Sequence, residues 1–142
     1  MLEITASHQQ AINAHGEQTY PNECCGILLG EVQADGTKIL KELIPVNNSR
    51  ENEEQYHRFE IKAEELLKAE KTAASRGLEV VGFYHSHPEH PSRPSEYDRS
   101  HAFLFYSYII VAVDQGKAGV FTTWELNNDF QFESEELVVK AD

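Results

Sequence analysis

Cysteine is nearly absent from this chain. Its only two thiols in 142 residues are neighbours, Cys24 and Cys25, and adjacent residues cannot staple distant segments together. A disulfide framework is excluded, and the pair reads as reduced thiols of a cytosolic protein. Long apolar runs are missing too. Nowhere do about 18 consecutive apolar residues occur, and the start, MLEITASHQQ, carries an acid and no apolar run of signal-peptide length. The expectation is a cytoplasmic chain that neither enters the secretory route nor spans a membrane, which makes Asn47-Asn48-Ser49 a chance match to a glycosylation acceptor. Positive charge is scarce: 12 Lys and Arg against 24 Asp and Glu leave a net charge of -12. That balance argues against nucleic acid and against an anionic membrane as partners, and suits a basic partner or high salt. No internal repeat occurs, so solenoids and arrays drop out.

What is present is ordinary globular material, 40% hydrophobic and 25% charged, of a length that places residues 1–142 in one domain. Ser7 with Gln10 three residues on predicts a capping box, and Ala11, Ile12 and His15 continue a helix towards Tyr20-Pro21, weakened by Gly16. Two apolar runs, Cys25–Val32 and Lys38–Val46, flank Ala34-Asp35-Gly36-Thr37 and predict an antiparallel hairpin. Asn47 to His57 has no aliphatic residue and more acids than bases, so it reads as an exposed loop and a candidate flap.

A short strand is expected near Arg58 to Ile61, then a helix from Lys62 to Arg76 capped by Gly77, with Leu66, Leu67, Ala69, Ala73 and Ala74 inward. Leu78 to His87 reads as a buried strand, apolar on both faces, with Val81 and Phe83 on one and Leu78, Val80 and Tyr84 on the other. A short helix after Pro94 precedes strands at Tyr108–Val113, Val120–Leu126 and Phe130–Phe132, ahead of an acidic tail. The fold class that follows is α/β: a mixed, largely antiparallel sheet flanked by two or three helices.

The chemistry concentrates in Tyr84-His85-Ser86-His87-Pro88-Glu89-His90-Pro91-Ser92-Arg93-Pro94-Ser95-Glu96-Tyr97-Asp98. Alternation along a strand puts His85 and His87 on one face, about 7 Å apart at their backbones, so that both imidazoles can converge on one metal. The proline-rich turn brings a helix back and can offer Asp98 as a third ligand. Two histidines, an aspartate and an open fourth position describe a catalytic rather than a structural zinc site. Ser95-x-x-Asp98 is also, by itself, an N-terminal capping box; the two readings are compatible, since a cap holds its side chain at a defined place.

His85-x-His87, seven residues, Ser95, two residues, Asp98, with Glu23 upstream in Pro21-Asn-Glu23-Cys-Cys-Gly26, resembles the JAMM (MPN-plus) metalloprotease family, and the likeness extends over nearly the whole chain. The resemblance implies a cytidine-deaminase-like α/β fold and one zinc per chain, held by His85, His87 and Asp98. It makes Glu23 the general base and Ser95 the oxyanion donor. The family cleaves amide bonds, typically isopeptides after the C-terminal glycines of ubiquitin-like proteins, so the implied partner is a ubiquitin-like or sulfur-carrier protein. Only 44 residues follow Asp98 (142 − 98), too few for the second insertion of some eukaryotic relatives, and the chain is similar to compact prokaryotic members. The same resemblance admits a metal-free scaffold, and a small-peptide metallohydrolase is a third possibility.

Rival sites are thin. There is no His-Glu-x-x-His, no Pro-Cys-x-x-Cys and no glycine-rich phosphate loop. Cys24 or Cys25 as a nucleophile is outweighed by their reading as buried small hydrophobes, and His90 and His101 as solvent-facing or outer residues rather than ligands.

Overall fold

The computed structural model describes residues 1–48 and 60–142. Its elements in chain order are β1 (Leu2–Thr5), α1 (Ala6–Thr19), β2 (Cys25–Val32), β3 (Lys38–Val46), α2 (Ala63–Ser75), β4 (Glu79–Pro88), α3 (Glu96–Ser100), β5 (Ser107–Asp114), β6 (Lys117–Leu126), β7 (Phe132–Ser134) and β8 (Leu137–Lys140). All eight strands join one mixed sheet in the order β7-β6-β5-β4-β2-β3-β1-β8. The pairs β1/β3, β1/β8 and β4/β5 are parallel and the others antiparallel.

The strand Leu2–Thr5 was not among the expected elements, and neither was Leu137–Lys140 in the acidic tail. Both are short, and their stability comes from pairing with each other and with β3 rather than from local propensity. The early strand moves the cap of α1: Thr5, not Ser7, accepts the N–H of His8, and the His8 ring takes the N–H of Thr5 in return. Gly16 has a packing role in that helix. A Cβ there would stand 3.1 Å from a Val113 methyl, so the missing side chain lets α1 lie close on β5.

The second helix forms where expected, with Lys62 and Arg76 as its flanking caps and Gly77 beyond at φ +71. Ala69 and Ala73 are buried and Leu66 packs beside them, but Leu67 is 52% exposed and Ala74 is exposed. The buried stripe is narrower than the apolar content of the helix suggests. Of the strand expected at Arg58 to Ile61, Glu60 and Ile61 lie outside any strand and the rest falls outside the described residues, as does the candidate flap beyond Asn48. The strand expected from Phe130 begins at Phe132, because Phe130 sits at φ +59 in the preceding turn.

Two cores cover the two faces of the sheet. Leu2, Ile4, Ile12, Leu28, Tyr84, Ile109 and Val111 fill the α1 side, and Ile27, Leu29, Ala69, Ala73 and Val80 the α2 side. Val81 belongs to the α1 core and Phe83 to the α2 side, which corrects the expected sharing of a face. The cause is a bulge: Leu28 pairs with Gly82 but Leu29 with Val80, and an extra residue shifts the alternation by one. Beyond it Tyr84 and Ser86 face α1 while Phe83, His85 and His87 face the other side. At the far end Lys38, 3% exposed, donates to Ser107 at 3.0 Å and to Glu125 at 3.1 Å, tying β3 to β5 and β6. No described helix is long and apolar enough to cross a membrane.

Candidate active site

Register decides which residues meet. In the β2/β4 pair Cys25 lies opposite His85, so Glu23, just before β2, arrives beside the end of β4 that carries the histidines. Ser86, pointing away from the histidines, holds this junction. Its Oγ accepts the N–H of Cys24 at 2.8 Å, and its own N–H donates to the Cys24 carbonyl at 3.2 Å. Asn48 adds a second hold, donating to the Glu23 carbonyl at 3.2 Å. Gly26 is required here, since a Cβ would come within 2.0 Å of the Tyr84 ring.

After Pro88 the chain reverses through Glu89 at φ +59, whose N–H donates to Val113 O at 2.9 Å. The buried Ser92 carbonyl then anchors the loop, accepting the Thr122 hydroxyl at 2.6 Å and the Trp124 indole N–H at 3.2 Å. Ser95 caps α3 in a reciprocal box: its Oγ accepts the Asp98 N–H at 3.0 Å and its N–H donates to Asp98 Oδ2 at 2.8 Å. The capping box predicted from sequence is therefore present, and it aims the Asp98 carboxylate back at β4.

There the three side chains converge. His85 Nε2 and His87 Nε2 are 3.1 Å apart, and they lie 3.3 Å and 3.1 Å from the two oxygens of Asp98. Among the described residues this is the group able to hold a metal ion. The donor set fits zinc: in a tetrahedral site with ligands at about 2.0–2.2 Å, neighbouring donors stand about 3.3 Å apart. His87 Nδ1 lies 2.8 Å from the Pro91 carbonyl. A carbonyl only accepts, so Nδ1 carries the proton and the Nε2 lone pair of the neutral ring faces inward.

The charges respond to the arrangement. Burial pushes His85 below its ordinary pKa, against the pull of the Asp98 carboxylate. Burial also works against a proton on His87, but the hydrogen bonds to Asp98 and Pro91 and the negative charge of Glu23 outweigh it and raise the pKa. For Asp98, burial favours the neutral acid, yet the two imidazoles and the Ser95 N–H hold the carboxyl well below the usual carboxylate range.

The metal group opens onto a cleft of about 680 Å³ whose walls include Glu23, His87, His90, Arg93 and Ser95. Glu23 is 5% exposed, a carboxylate held out of bulk water in the cleft that His87 also lines. His90 is exposed on the wall, and His101 ends α3 stacked on Tyr97; neither belongs to the convergent group. Both cysteines are buried, and burial lifts the Cys24 thiol to about 11 and Cys25 higher still. They are thiols, not thiolates, and poor nucleophiles. Ser86, Thr122 and Trp124 are the supporting residues that sequence reasoning missed. Only the strand parity of Ser86, opposite to its histidine neighbours, was visible beforehand.

The family of prokaryotic homologs of the JAB domain matches residues 5–127. The chain is 32% identical over 118 residues to the desampylase of Haloferax volcanii, covering 80% of this chain and 81% of that one. A solution structure of a protein from Desulfitobacterium hafniense superposes with a TM-score of 0.86 at 30% identity, over 100% of this chain and 94% of the other. A JAB1/MPN domain protein from Archaeoglobus fulgidus shares the fold with a TM-score of 0.60 at 22% identity, over 98% of this chain and 96% of the other. Glu23, His85, His87, Ser95 and Asp98 all lie within the matched span, and the chain belongs to the prokaryotic branch of the JAB domain family.

Proposed function

We propose that residues 1–142 form a single JAMM-type domain and act as a zinc-dependent isopeptidase, hydrolysing an amide bond at the C-terminus of a ubiquitin-like or sulfur-carrier protein. The observation that carries this reading is the convergence of His85 Nε2, His87 Nε2 and the Asp98 carboxylate beside a cleft that also holds Glu23 and Ser95. The likeness to a desampylase, an enzyme that removes a small ubiquitin-like modifier, supports the substrate class.

His85, His87 and Asp98 would hold the metal. When bound, zinc supplies Lewis acidity, making a water nucleophilic near neutral pH and polarising a carbonyl. Glu23 takes one proton from the attacking water as the new C–O bond forms, then delivers it to the leaving nitrogen as the C–N bond breaks. Ser95 Oγ spends a lone pair on the Asp98 N–H, which leaves its O–H to donate to the substrate carbonyl oxygen as negative charge builds there. Glu23 is buried beside the site, so its carboxylate is shielded from bulk water at the moment of transfer.

The test is cleavage of a ubiquitin-like carrier extended beyond its terminal Gly-Gly, followed by mass spectrometry, with metal-loaded and chelator-treated protein. Cleavage after the second glycine by the loaded protein only is expected. Loaded protein that cleaves free dipeptides equally well would point instead to a general peptidase, and no cleavage of either would favour a scaffold.

A further inference from the structure

The cleft wall of this acidic chain carries an arginine. Against a net charge of -12, the exposed Arg93 stands on the cleft wall with Glu23, His87, His90 and Ser95. The other two described arginines are paired, Arg76 with Glu42 and Arg99 with Glu96; among the described residues no carboxylate pairs with Arg93. The acids of the cleft and of the metal group are already compensated or withdrawn. Glu96 lines the same cleft, but both its oxygens accept N–H groups of Arg99. Asp98 faces two imidazoles, and Glu23 is only 5% exposed.

The backbone that carries Arg93 is also fixed. The Ser92 carbonyl on one side is held by Thr122 and Trp124, and Pro94 on the other restricts Arg93 to extended conformations. A guanidinium carried on this anchored backbone, with no carboxylate paired to it among the described residues, suits bidentate binding of a carboxylate in the cleft of an acidic protein.

We propose that Arg93 is a specificity-determining residue that binds a substrate carboxylate beside the scissile bond. The inference rests on the peptidase reading above. The charge has two possible sources: the free α-carboxylate of a single C-terminal residue that leaves as an amino acid, or an acidic side chain flanking the bond. A leaving group joined through an internal lysine offers no free α-carboxylate, so the first source favours trimming of a chain end over release of a conjugated protein.

Three fluorophore-labelled peptides separate these cases: Gly-Gly-Ala with a free carboxylate, the same peptide as its C-terminal amide, and Gly-Gly-Asp amide. Their binding to zinc-loaded Glu23→Gln protein is measured by fluorescence anisotropy, with and without Arg93→Gln or Arg93→Lys. At least one carboxylate-bearing probe is expected to bind roughly tenfold tighter than Gly-Gly-Ala amide. That preference should fall to about one in Arg93→Gln and be partly kept in Arg93→Lys. Preference for the Gly-Gly-Ala acid assigns the terminal carboxylate, and preference for Gly-Gly-Asp amide alone assigns the side chain. No preference for either acidic probe, no measurable binding, or a preference that survives Arg93→Gln overturns the proposal. Because binding is read without turnover, a failure of the wild-type protein to hydrolyse any substrate counts against the peptidase reading and leaves this result standing.

Discussion

Ser86 Oγ accepts the backbone N–H of Cys24 at 2.8 Å, and through that bond a residue lying between two candidate metal ligands fixes the segment that carries the candidate base. Ser86 is fully buried, so no water replaces it. In Ser86→Ala the Cys24 N–H is left unpaired, at a cost of about 1–3 kcal/mol. Denaturant unfolding should show that loss while zinc content stays stoichiometric and hydrolysis falls. An unchanged unfolding midpoint would show the bond contributes nothing.

The metal prediction has a direction in pH. One zinc per chain is expected by elemental analysis, and it should be lost in His87→Ala and in Asp98→Ala. Metal binding needs a free Nε2 lone pair, and His87 holds its proton to a pH above the ordinary 6.5. Affinity should therefore decline as pH falls through that range, with protons taken up as zinc leaves. Chelator competition across pH 5 to 8, the range in which imidazoles titrate, measures it; a flat profile would remove the histidines from the site.

Glu23 and Ser95 should fail in different ways. Glu23→Gln is expected to keep both zinc and fold and to lose hydrolysis by a large factor, as removal of a proton carrier does. Ser95→Ala should lose about 2–4 kcal/mol of transition-state stabilisation if its hydroxyl is the oxyanion donor. Its cap on α3 adds a stability cost of about 1 kcal/mol, so kcat and unfolding must be measured together. Zinc lost from Glu23→Gln would make that carboxylate a ligand.

The Thr122 hydroxyl holds the Ser92 carbonyl at 2.6 Å, 30 residues away in sequence. Thr122→Val keeps the side-chain shape and removes the donor, with an expected stability cost of about 1 kcal/mol. The larger effect should be on zinc retention, because the loop that returns Asp98 to β4 loses its anchor. Faster release of zinc to a chelator, compared with wild type, checks this, and an unchanged release rate would mean that the Trp124 indole suffices.

The chemistry of the site was legible along the chain because it depends on short-range rules. Strand parity puts His85 and His87 on one face, and Ser95-x-x-Asp98 is a cap whose geometry is local. The hairpin at Asp35-Gly36 and the helix ending at Gly77 are set by φ preferences within a few residues. The bulge that separates Val81 from Phe83 depends on the register of β4 against β2, which no single strand encodes. The strands Leu2–Thr5 and Leu137–Lys140 exist because their two segments, distant in sequence, pair in parallel. The nearness of Glu23 to the histidines follows from Cys25 lying opposite His85 and from the Ser86 bond. Among the described residues Arg93 has no carboxylate partner, while Glu96 on the same cleft is taken up by Arg99. Composition and local pattern determined which groups could do chemistry; long-range pairing decided which of them meet, because hydrogen-bond register between distant strands is settled only when the whole sheet closes on its two cores.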